Sequence, residues 1–380
     1  MIFFTTRLTT AAALFTLILS GPSVAQMIET PARNAFIVDL STNTVLLQKQ
    51  AEVPMPPASM SKLMTVYMVF DLIKQGALSL EDKLLVSRKA WKKGGSKMFV
   101  KIGDRVSVAD LLRGIIVQSG NDACIVVAEA LAGSENSFAE LMTNKGRELG
   151  LKNSTFTNAT GWPNPSHRMS AEDLAILSKR LIEDFPELYK MFSEKSFSYN
   201  KIKQGNRNPL LYRNIGADGL KTGHTVAAGY GLTASAKNGD RRIVVVLNGL
   251  TSVRQRSRES LRLMEWAFRA FKPVTLFKKG DTVTEADIWL GDNSKIPLTL
   301  KKDLRLTLPR GANDRIKVTV RLKNPVPAPV REGQTLGTLV VKVPNMTDRE
   351  YPLSAGANVE QLGFMGRIIT AIKYLIWGAS

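Results

Sequence analysis

Cysteine and histidine are the scarcest chemically useful residues of this chain. Its 380 residues include one cysteine, Cys124, so no disulfide can form within a single molecule. The two histidines, His167 and His224, are too few to build the His/Cys clusters that hold zinc. The sequence therefore argues against a metal centre and against a fold that depends on disulfides.

Acidic residues are also in short supply, and we find neither internal repeats nor low-complexity tracts. The chain has 52 Lys and Arg against 33 Asp and Glu, a net charge of +19, while 44% of its residues are hydrophobic, as in ordinary globular domains. The basic excess predicts an anionic partner: nucleic acid, a membrane surface or an anionic polymer. Because no basic strand is interleaved with aromatic residues as in RNA-binding sheets, we expect no nucleic acid partner.

The first 25 residues have the pattern of an export signal. Arg7 precedes an uncharged, mostly apolar run at 8–19, a Ser-Gly-Pro break follows at 20–22, and small residues at 23–25 precede Gln26. We expect cleavage before Gln26, because the run is short for a membrane span of about 20 residues. An uncleaved anchor helix is the alternative. An exported protein without disulfides suits the bacterial periplasm or cell surface.

The C-terminal residues 359–380 have apolar side chains at i, i+3, i+4 and i+7, which predicts an amphipathic helix of about four turns. Arg367 and Lys373 on the other face argue against a helix that crosses a membrane. With Tyr374 and Trp377, these cations suit a helix that lies in the membrane interface. We therefore predict a peripheral membrane anchor. A terminal helix packed on its own domain is the alternative.

Between these ends the pattern changes once, near Lys272-Pro273. Residues 26–274 mix helical and strand patterns, whereas residues 275–358 carry short alternating runs separated by turn residues, which predicts a small all-β domain, a sandwich. This β-domain could be a spacer, a binding module or an inert support. In the first domain we predict a hairpin over 35–47, a buried strand at 241–250, and helices at 61–74, 108–131, 134–150 and 252–270.

A serine and a lysine, Ser59 and Lys62, stand at the start of the helix predicted at 61–74. Residues at i and i+3 share one helix face, one turn apart. Free N–H groups at a helix start favour a developing oxyanion, and a desolvated lysine loses affinity for its proton and can act as a general base. The bare Ser-x-x-Lys pattern is common, so a helix cap beside a solvated lysine is the alternative.

Two further motifs, Ser119-Gly120-Asn121 and Lys221-Thr222-Gly223, are weak when taken alone. The first offers a hydroxyl that can relay a proton and an amide that can orient a substrate or Lys62. The second offers a cation, a hydroxyl and a glycine that lets a substrate approach the strand. A turn between helices and a surface turn are the respective alternatives.

Together and in this order, the three motifs resemble the signature of penicillin-binding proteins and serine β-lactamases. Residues 117–123, 218–225 and 228–230 are similar to the low-molecular-mass D-alanyl-D-alanine carboxypeptidases, a family that also has a signal peptide, a C-terminal β-domain and an amphipathic terminal anchor. The resemblance covers nearly all of the chain after the signal. It implies an α/β (α+β) catalytic domain of the penicillin-binding type, with a mainly antiparallel sheet flanked by helices.

The resemblance assigns catalytic roles to five residues. Ser59 would be the acylated nucleophile and Lys62 its general base. Ser119 and Asn121 would assist proton transfer and substrate positioning. Lys221 would supply positive potential. No metal and no organic cofactor would be needed.

The resemblance also assigns substrate binding. Thr222 and Arg207 would hold the terminal carboxylate of the substrate, although a solvated loop charge is the alternative for Arg207. Gly223 would leave room for the substrate along the strand. The backbone N–H groups of Ser59 and His224 would form the oxyanion hole.

Three residues near these motifs need separate interpretations. Relatives often have His or Asn at Thr160 and Leu at Trp162, so we assign no catalysis to Thr160; the pair could alter deacylation or specificity. Cys124 lies three residues after the second motif. We interpret it as a small buried hydrophobic side chain rather than a functional thiol.

The function implied is a serine-type D,D-carboxypeptidase that removes the terminal D-alanine from peptidoglycan pentapeptides in cell-wall remodelling. The enzyme would lie on the periplasmic face of the bacterial inner membrane and would be acylated by β-lactams. A D,D-endopeptidase that cleaves cross-links by the same mechanism and a non-catalytic cell-wall-binding protein are the alternatives. The sequence contains no Gly-x-Ser-x-Gly elbow, which argues against a Ser-His-Asp hydrolase. It also lacks the deacylating glutamate that a class A β-lactamase would need.

Overall fold

The structure is a computed structural model that describes residues 28–310, 316–323, 325–344 and 348–377. The signal peptide predicted at residues 1–25 lies outside the described residues. The helices up to residue 270 are α1 (Lys62–Lys74), α2 (Arg88–Lys92), α3 (Val108–Ile116), α4 (Asn121–Ala132), α5 (Glu135–Glu148), α6 (Ala171–Asp184), α7 (Pro186–Tyr189) and α8 (Val253–Ala270). The strands of the same part are β1 (Asn34–Asp39), β2 (Thr44–Lys49), β3 (Lys83–Leu85), β4 (Arg105–Ser107), β5 (Ser196–Tyr199), β6 (Ile202–Gly205), β7 (Ala217–Thr225), β8 (Gly229–Asn238) and β9 (Arg241–Leu250).

A five-stranded antiparallel sheet in the order β2-β1-β9-β8-β7 forms the centre of this domain. Successive side chains of a strand point to opposite faces. In β9, Val244 and Val246 therefore join the core on the side of α1, α3, α4 and α6, while Val245 and Leu247 join the core on the side of α8. The sheet is thus covered by helices on both faces, which confirms the predicted architecture.

The helix predicted at 108–131 is wrong in one respect, because the structure breaks it into α3 and α4. Ser119 has φ +62°, a left-handed conformation that a continuous α-helix cannot contain, and Gly120 precedes the first residue of α4. The Gly120 N–H donates to the Gly114 carbonyl at 2.9 Å. A side chain at position 120 would lie 2.9 Å from Oδ1 of Asp122, so the break requires glycine there.

A second domain with its own core follows. Its elements are β10 (Phe271–Phe277), β11 (Thr282–Trp289), β12 (Lys295–Thr299), β13 (Leu304–Pro309), β14 (Lys317–Leu322), β15 (Val326–Pro327), β16 (Thr335–Lys342), β17 (Arg349–Ala355) and α9 (Phe364–Trp377). The sheets β10-β13 and β14-β16-β17-β12-β11-β15 share one apolar core, as expected for a sandwich. The pattern change near residues 272–273 falls within β10.

The two domains are joined by a buried polar cluster at the β1–β2 turn. The carboxylate of Asp39, which has no solvent-exposed surface, accepts hydrogen bonds from Arg241 Nε at 3.0 Å and from Thr307 Oγ1 at 2.8 Å. The Thr307 N–H donates to Thr44 Oγ1 at 3.2 Å. Because Thr307 belongs to β13, the cluster fixes the β-sandwich against the edge of the central sheet.

The helix α9 ends the described chain within the predicted amphipathic segment 359–380. Several of its apolar side chains are exposed, Phe364 by 70% and Met365 by 69%, rather than packed on the sandwich. Among the described residues, no helix is both long enough and apolar enough to cross a membrane.

Candidate active site

A 3-10 turn at Ala58–Ser61 carries Ser59 and runs directly into α1. Lys62 is the first residue of that helix and is fully buried, while Ser59 is half-buried. The Nζ atom of Lys62 lies 2.9 Å from Oγ of Ser59. The one-turn spacing predicted from the sequence therefore brings the hydroxyl and the amine into hydrogen-bond contact.

The other neighbours of the Lys62 amine are two acceptors, Asn121 Oδ1 at 2.7 Å and the Thr160 carbonyl at 2.5 Å. Neither oxygen can donate a proton, whereas the Ser59 hydroxyl can donate or accept. A neutral amine gives its two N–H groups to the two acceptors and keeps its lone pair for the Ser59 O–H. This set of partners suits a lysine that takes a proton from serine.

Burial is the main reason that the pKa of Lys62 falls from its usual 10.5 to about 8; the nearby cations Arg207 and Lys93 act in the same direction, while Cys124 and Asp122 partly oppose them. An amine with this pKa is partly neutral near physiological pH, as a general base requires.

The second motif is held in place at the start of α4. The Asn121 side chain donates from Nδ2 to the Gly94 carbonyl at 2.8 Å, which leaves Oδ1 facing Lys62. The Asn121 N–H donates to the Ser96 carbonyl at 2.7 Å. Ser119, in its left-handed conformation, is only 2% exposed.

The third motif lies within β7, at the edge of the central sheet and against the 3-10 turn of Ser59. Lys221 and Thr222 are buried, and a Cβ at Gly223 would come within 2.8 Å of the Pro57 carbonyl and 3.2 Å of the Ala58 Cβ. Only glycine lets this strand approach the turn so closely. Burial, and then the charges of Lys62 and Arg207, hold the pKa of Lys221 well below its usual value.

Two of the predicted substrate-binding residues are exposed. The His224 ring stacks on Tyr230 with the ring centroids 3.9 Å apart. Arg207 donates from one guanidinium nitrogen to Ser96 Oγ at 2.7 Å, and this contact places the β6 end beside the loop that holds Asn121.

Comparison with known proteins agrees with this geometry. Residues 21–251 match the family described as D-alanyl-D-alanine carboxypeptidase, and residues 271–361 match the penicillin-binding protein 5, C-terminal domain. The chain belongs to the D-alanyl-D-alanine carboxypeptidase family. It is 39% identical to the D-alanyl-D-alanine carboxypeptidase DacC of Escherichia coli strain K12, over 97% of this chain and 96% of the relative.

Solved structures give the same result for the fold. Penicillin-binding protein 5 from Haemophilus influenzae superposes with a TM-score of 0.77 at 36% identity, covering 88% of this chain and 100% of that one. The D-alanyl-D-alanine carboxypeptidase DacD from Francisella tularensis gives 0.79 at 30% identity, covering 90% of this chain and 96% of that one. The likeness extends through both domains of this carboxypeptidase family member.

Sequence reasoning missed Arg256 as a neighbour of the site. Arg256 lies on α8, is 7% exposed, has its guanidinium carbon 5.9 Å from the Tyr230 ring centroid, and its Nε has no hydrogen-bond partner. Its charge helps to lower the pKa of Lys221. The helical periodicity of the sequence contained a signal for this burial. Arg256 lies on the same helix face as Leu263 and Ala267, and that face packs against the core rather than facing solvent.

The two departures from the family pattern have different surroundings. Thr160 contributes its backbone carbonyl to Lys62, while its side chain donates to Asn158 Oδ1 at 3.0 Å and takes no part in that contact. Trp162 is 45% exposed and carries the Lys93 ammonium 4.7 Å from its ring centroid.

The interpretation of Cys124 as a buried side chain is confirmed. Its thiol is fully buried in α4, and burial raises its pKa to about 12. Such a thiol is not a reactive nucleophile at neutral pH. Within the described ranges, no group of three His, Cys, Asp or Glu side chains could hold a metal ion.

Proposed function

We propose that this protein is a serine-type D-Ala-D-Ala carboxypeptidase that removes the terminal D-alanine from peptidoglycan pentapeptides. The observation that carries the proposal is the 2.9 Å contact between Ser59 Oγ and the fully buried amine of Lys62. The family and the relatives named as D-alanyl-D-alanine carboxypeptidases support the same substrate class.

The reaction proceeds in two steps, acylation of Ser59 and hydrolysis of the acyl-enzyme. Neutral Lys62 takes the Ser59 proton as Oγ bonds to the carbonyl carbon of the penultimate D-alanine. The resulting tetrahedral intermediate collapses, its C–N bond breaks, and the departing amine of D-alanine receives a proton relayed from Lys62 through Ser119. A water molecule then gives a proton to Lys62 as its oxygen bonds to the ester carbon, the bond between that carbon and Ser59 Oγ breaks, Oγ takes the proton from Lys62, and the shortened peptide leaves.

The remaining groups stabilise charge. The backbone N–H groups of Ser59 and His224 face the carbonyl oxygen as the oxyanion hole. Asn121 orients the substrate amide and Lys62. Thr222 and Arg207 hold the terminal carboxylate, for which the structure supplies additional buried positive charge.

That additional charge comes from two buried residues, Lys221 within β7 and Arg256 on α8. A site that concentrates this much positive charge favours an anionic substrate. Gly223 lets β7 pack against the turn that carries Ser59, rather than leaving room for the substrate as the sequence analysis expected. A penicillin imitates the acyl-D-alanyl-D-alanine unit and acylates Ser59 in the same way.

The D,D-endopeptidase remains the closest rival, since it uses the same chemistry on a cross-linked leaving group. One relative named D-alanyl-D-alanine endopeptidase, from Escherichia coli strain K12, is 28% identical over 65% of this chain, a smaller share than the carboxypeptidases cover. The test is product analysis with a free pentapeptide and with a cross-linked dimer that lacks terminal D-Ala-D-Ala. We expect D-alanine from the pentapeptide and no monomers from the dimer; faster cleavage of the dimer would make the protein an endopeptidase.

We further propose export and peripheral attachment to the periplasmic face of the inner membrane. The predicted signal at 1–25 supports export, and the exposed apolar side chains of α9 support attachment through residues 359–380. Deleting residues 361–380 should move the protein from the membrane fraction to the soluble fraction, while cleavage of a soluble pentapeptide stays unchanged. A truncated protein that still sediments with membranes would contradict the anchor. The boundaries of the signal peptide (1–25), the catalytic domain (26–274), the β-domain (275–358) and the terminal helix (359–380) stay predictions.

A further inference from the structure

Two basic segments lie beside the active site, and the site described above uses only two of their cations, Arg207 and Lys93. Residues 88–105 contain seven Lys or Arg and one Asp, and residues 195–207 contain four Lys or Arg and no acidic residue. Lys89 pairs with Glu135. Among the described residues, no carboxylate forms an ion pair with the cations at 92, 93, 97, 101, 201, 203 and 207.

Three hydrogen bonds hold these segments together. Asn200 Nδ2 donates to the Phe99 carbonyl at 2.8 Å, Gln204 Nε2 donates to the Lys97 carbonyl at 3.1 Å, and Arg207 donates to Ser96 Oγ at 2.7 Å. The first segment also accepts hydrogen bonds from Asn121 through its Gly94 and Ser96 carbonyls. The cations therefore form one surface that borders the catalytic groups.

Large aromatic side chains are exposed on the same surface. Trp91 is 42% exposed, and Phe99 and Trp162 are each 45% exposed. Phe99 also has φ +68°, where glycine is favoured over a bulky residue. Its N–H is bound to the Asp122 carboxylate at 2.9 Å, which holds the strained backbone in place. The fold thus holds a large apolar ring in solvent at a conformational cost.

We propose that this surface binds the rest of the peptidoglycan strand whose stem peptide occupies the active site. We name it the basic rim, formed by Lys92, Lys93, Lys97, Lys101, Lys201, Lys203, Arg207, Trp91, Phe99 and Trp162. The inference rests on the proposed function. A strand of this polymer carries free carboxylates on its neighbouring stem peptides and sugar rings along its backbone, and the cations and the aromatic faces of the rim complement these two groups.

An anionic membrane would also attract the cations, but the position of the rim favours the polymer. The rim borders the groups that must receive the peptide, so a bilayer pressed against it would close the route to Ser59. A strand that delivers its own stem peptide continues across the rim instead. Clustered charge of one sign raises the local concentration and the association rate of such a substrate.

The test compares kcat/KM on soluble peptidoglycan strands bearing pentapeptides with kcat/KM on a short acylated peptide ending in D-Ala-D-Ala. The test variant K92Q/K101Q/K203Q changes exposed lysines that touch none of the catalytic groups. The matched control K279Q/K301Q/K302Q removes the same charge from exposed lysines of the sandwich domain. At low salt we expect the test variant to lose about tenfold on strands and the control to lose nothing.

The short peptide separates the possible outcomes. The proposal predicts an unchanged rate on it for both variants, and a wild-type rate on strands that falls toward that of the test variant as salt screens the charges. An equal loss on both substrates, or no loss on strands, would overturn the proposal. A test variant that loses binding to anionic phospholipid vesicles but keeps its strand hydrolysis would also overturn the proposal, and would identify the rim as a membrane-binding surface. A wild type that cleaves neither substrate would instead refute the proposed function.

A second variant tests the aromatic part. F99G removes the ring and relieves the left-handed backbone, so a purely structural Phe99 predicts unchanged hydrolysis of strands. We expect a melting temperature that is equal or higher, together with a severalfold loss on strands and none on the short peptide. Unchanged hydrolysis of strands would remove Phe99 from the rim.

Discussion

Replacing Lys62 by Met is expected to reduce acylation of Ser59 by at least about a thousandfold, the upper part of the range for losing a general base. Methionine is similar in length and packs in a buried site, but it has no lone pair basic enough to take the serine proton. The measurement is the rate of labelling by a fluorescent penicillin, which isolates acylation from deacylation.

The matched control is Lys74→Met, the same replacement at the last residue of α1. Lys74 contacts Phe185 and the Asp184 carbonyl and lies away from the catalytic groups, so labelling should stay at the wild-type rate. If Lys62→Met is labelled within about tenfold of the wild type, Lys62 is not the general base.

The same lysine predicts a pH dependence. Below its pKa of about 8, Lys62 is mostly an ammonium and cannot accept a proton, so acylation should fall about tenfold per pH unit on the acid side. Between about pH 8 and 10.5 the unfolded chain binds this proton and the folded chain does not. The stability of the wild type relative to Lys62→Met should therefore rise with pH through that window. A flat difference would mean that Lys62 has an ordinary pKa.

Replacing Gly161 by Ala is expected to cost about 3 kcal/mol of stability, from a left-handed alanine and the repacking around it. Gly161 has φ +75°, and an added Cβ would lie 1.9 Å from the Ala58 carbonyl and 2.7 Å from Ser61 Oγ. Both contacts belong to the turn that carries Ser59. Displacing that turn by about 1 Å can cost about a hundredfold in rate. Penicillin labelling and thermal unfolding measure the two effects.

Gly76 provides the control for backbone conformation alone. It has φ +73°, nearly the same as Gly161, but no atom lies within 4 Å of a Cβ built there. Gly76→Ala should lose only about 1–2 kcal/mol and keep the wild-type labelling rate. Equal losses for the two variants would show that the contact with the Ser59 turn is unimportant.

The sequence analysis predicted the parts of the site that depend on local spacing. Ser59 and Lys62 meet because three residues separate them at the start of a helix, and the buried run of β9 was evident from its composition. The order of the three motifs along the chain led to the family resemblance, which in turn assigned a role to each motif. Each of these features can be read from residues close together in the chain or from the order of short motifs.

The features that the analysis missed depend on contacts between distant segments. The Thr160 carbonyl reaches Lys62 from 98 residues away, and Thr307 reaches Asp39 from 268 residues away. The Asp122 carboxylate accepts hydrogen bonds from the backbone N–H groups of residues 98–100, more than 20 residues earlier in the chain. The periodicity of the sequence does not reveal such hydrogen-bond partners, because each contact forms only with the tertiary structure.

The most direct test of the central claim is to find the residue that carries the acyl group. Purified protein is incubated with penicillin, digested and mapped by mass spectrometry, and D-alanine release from a D-Ala-D-Ala peptide is measured in parallel for the wild type and Ser59→Ala. We predict one penicilloyl adduct, on Ser59, and no adduct or D-alanine release in the variant. An adduct on another residue, or D-alanine release that survives in Ser59→Ala, would contradict the assignment of Ser59 as the nucleophile.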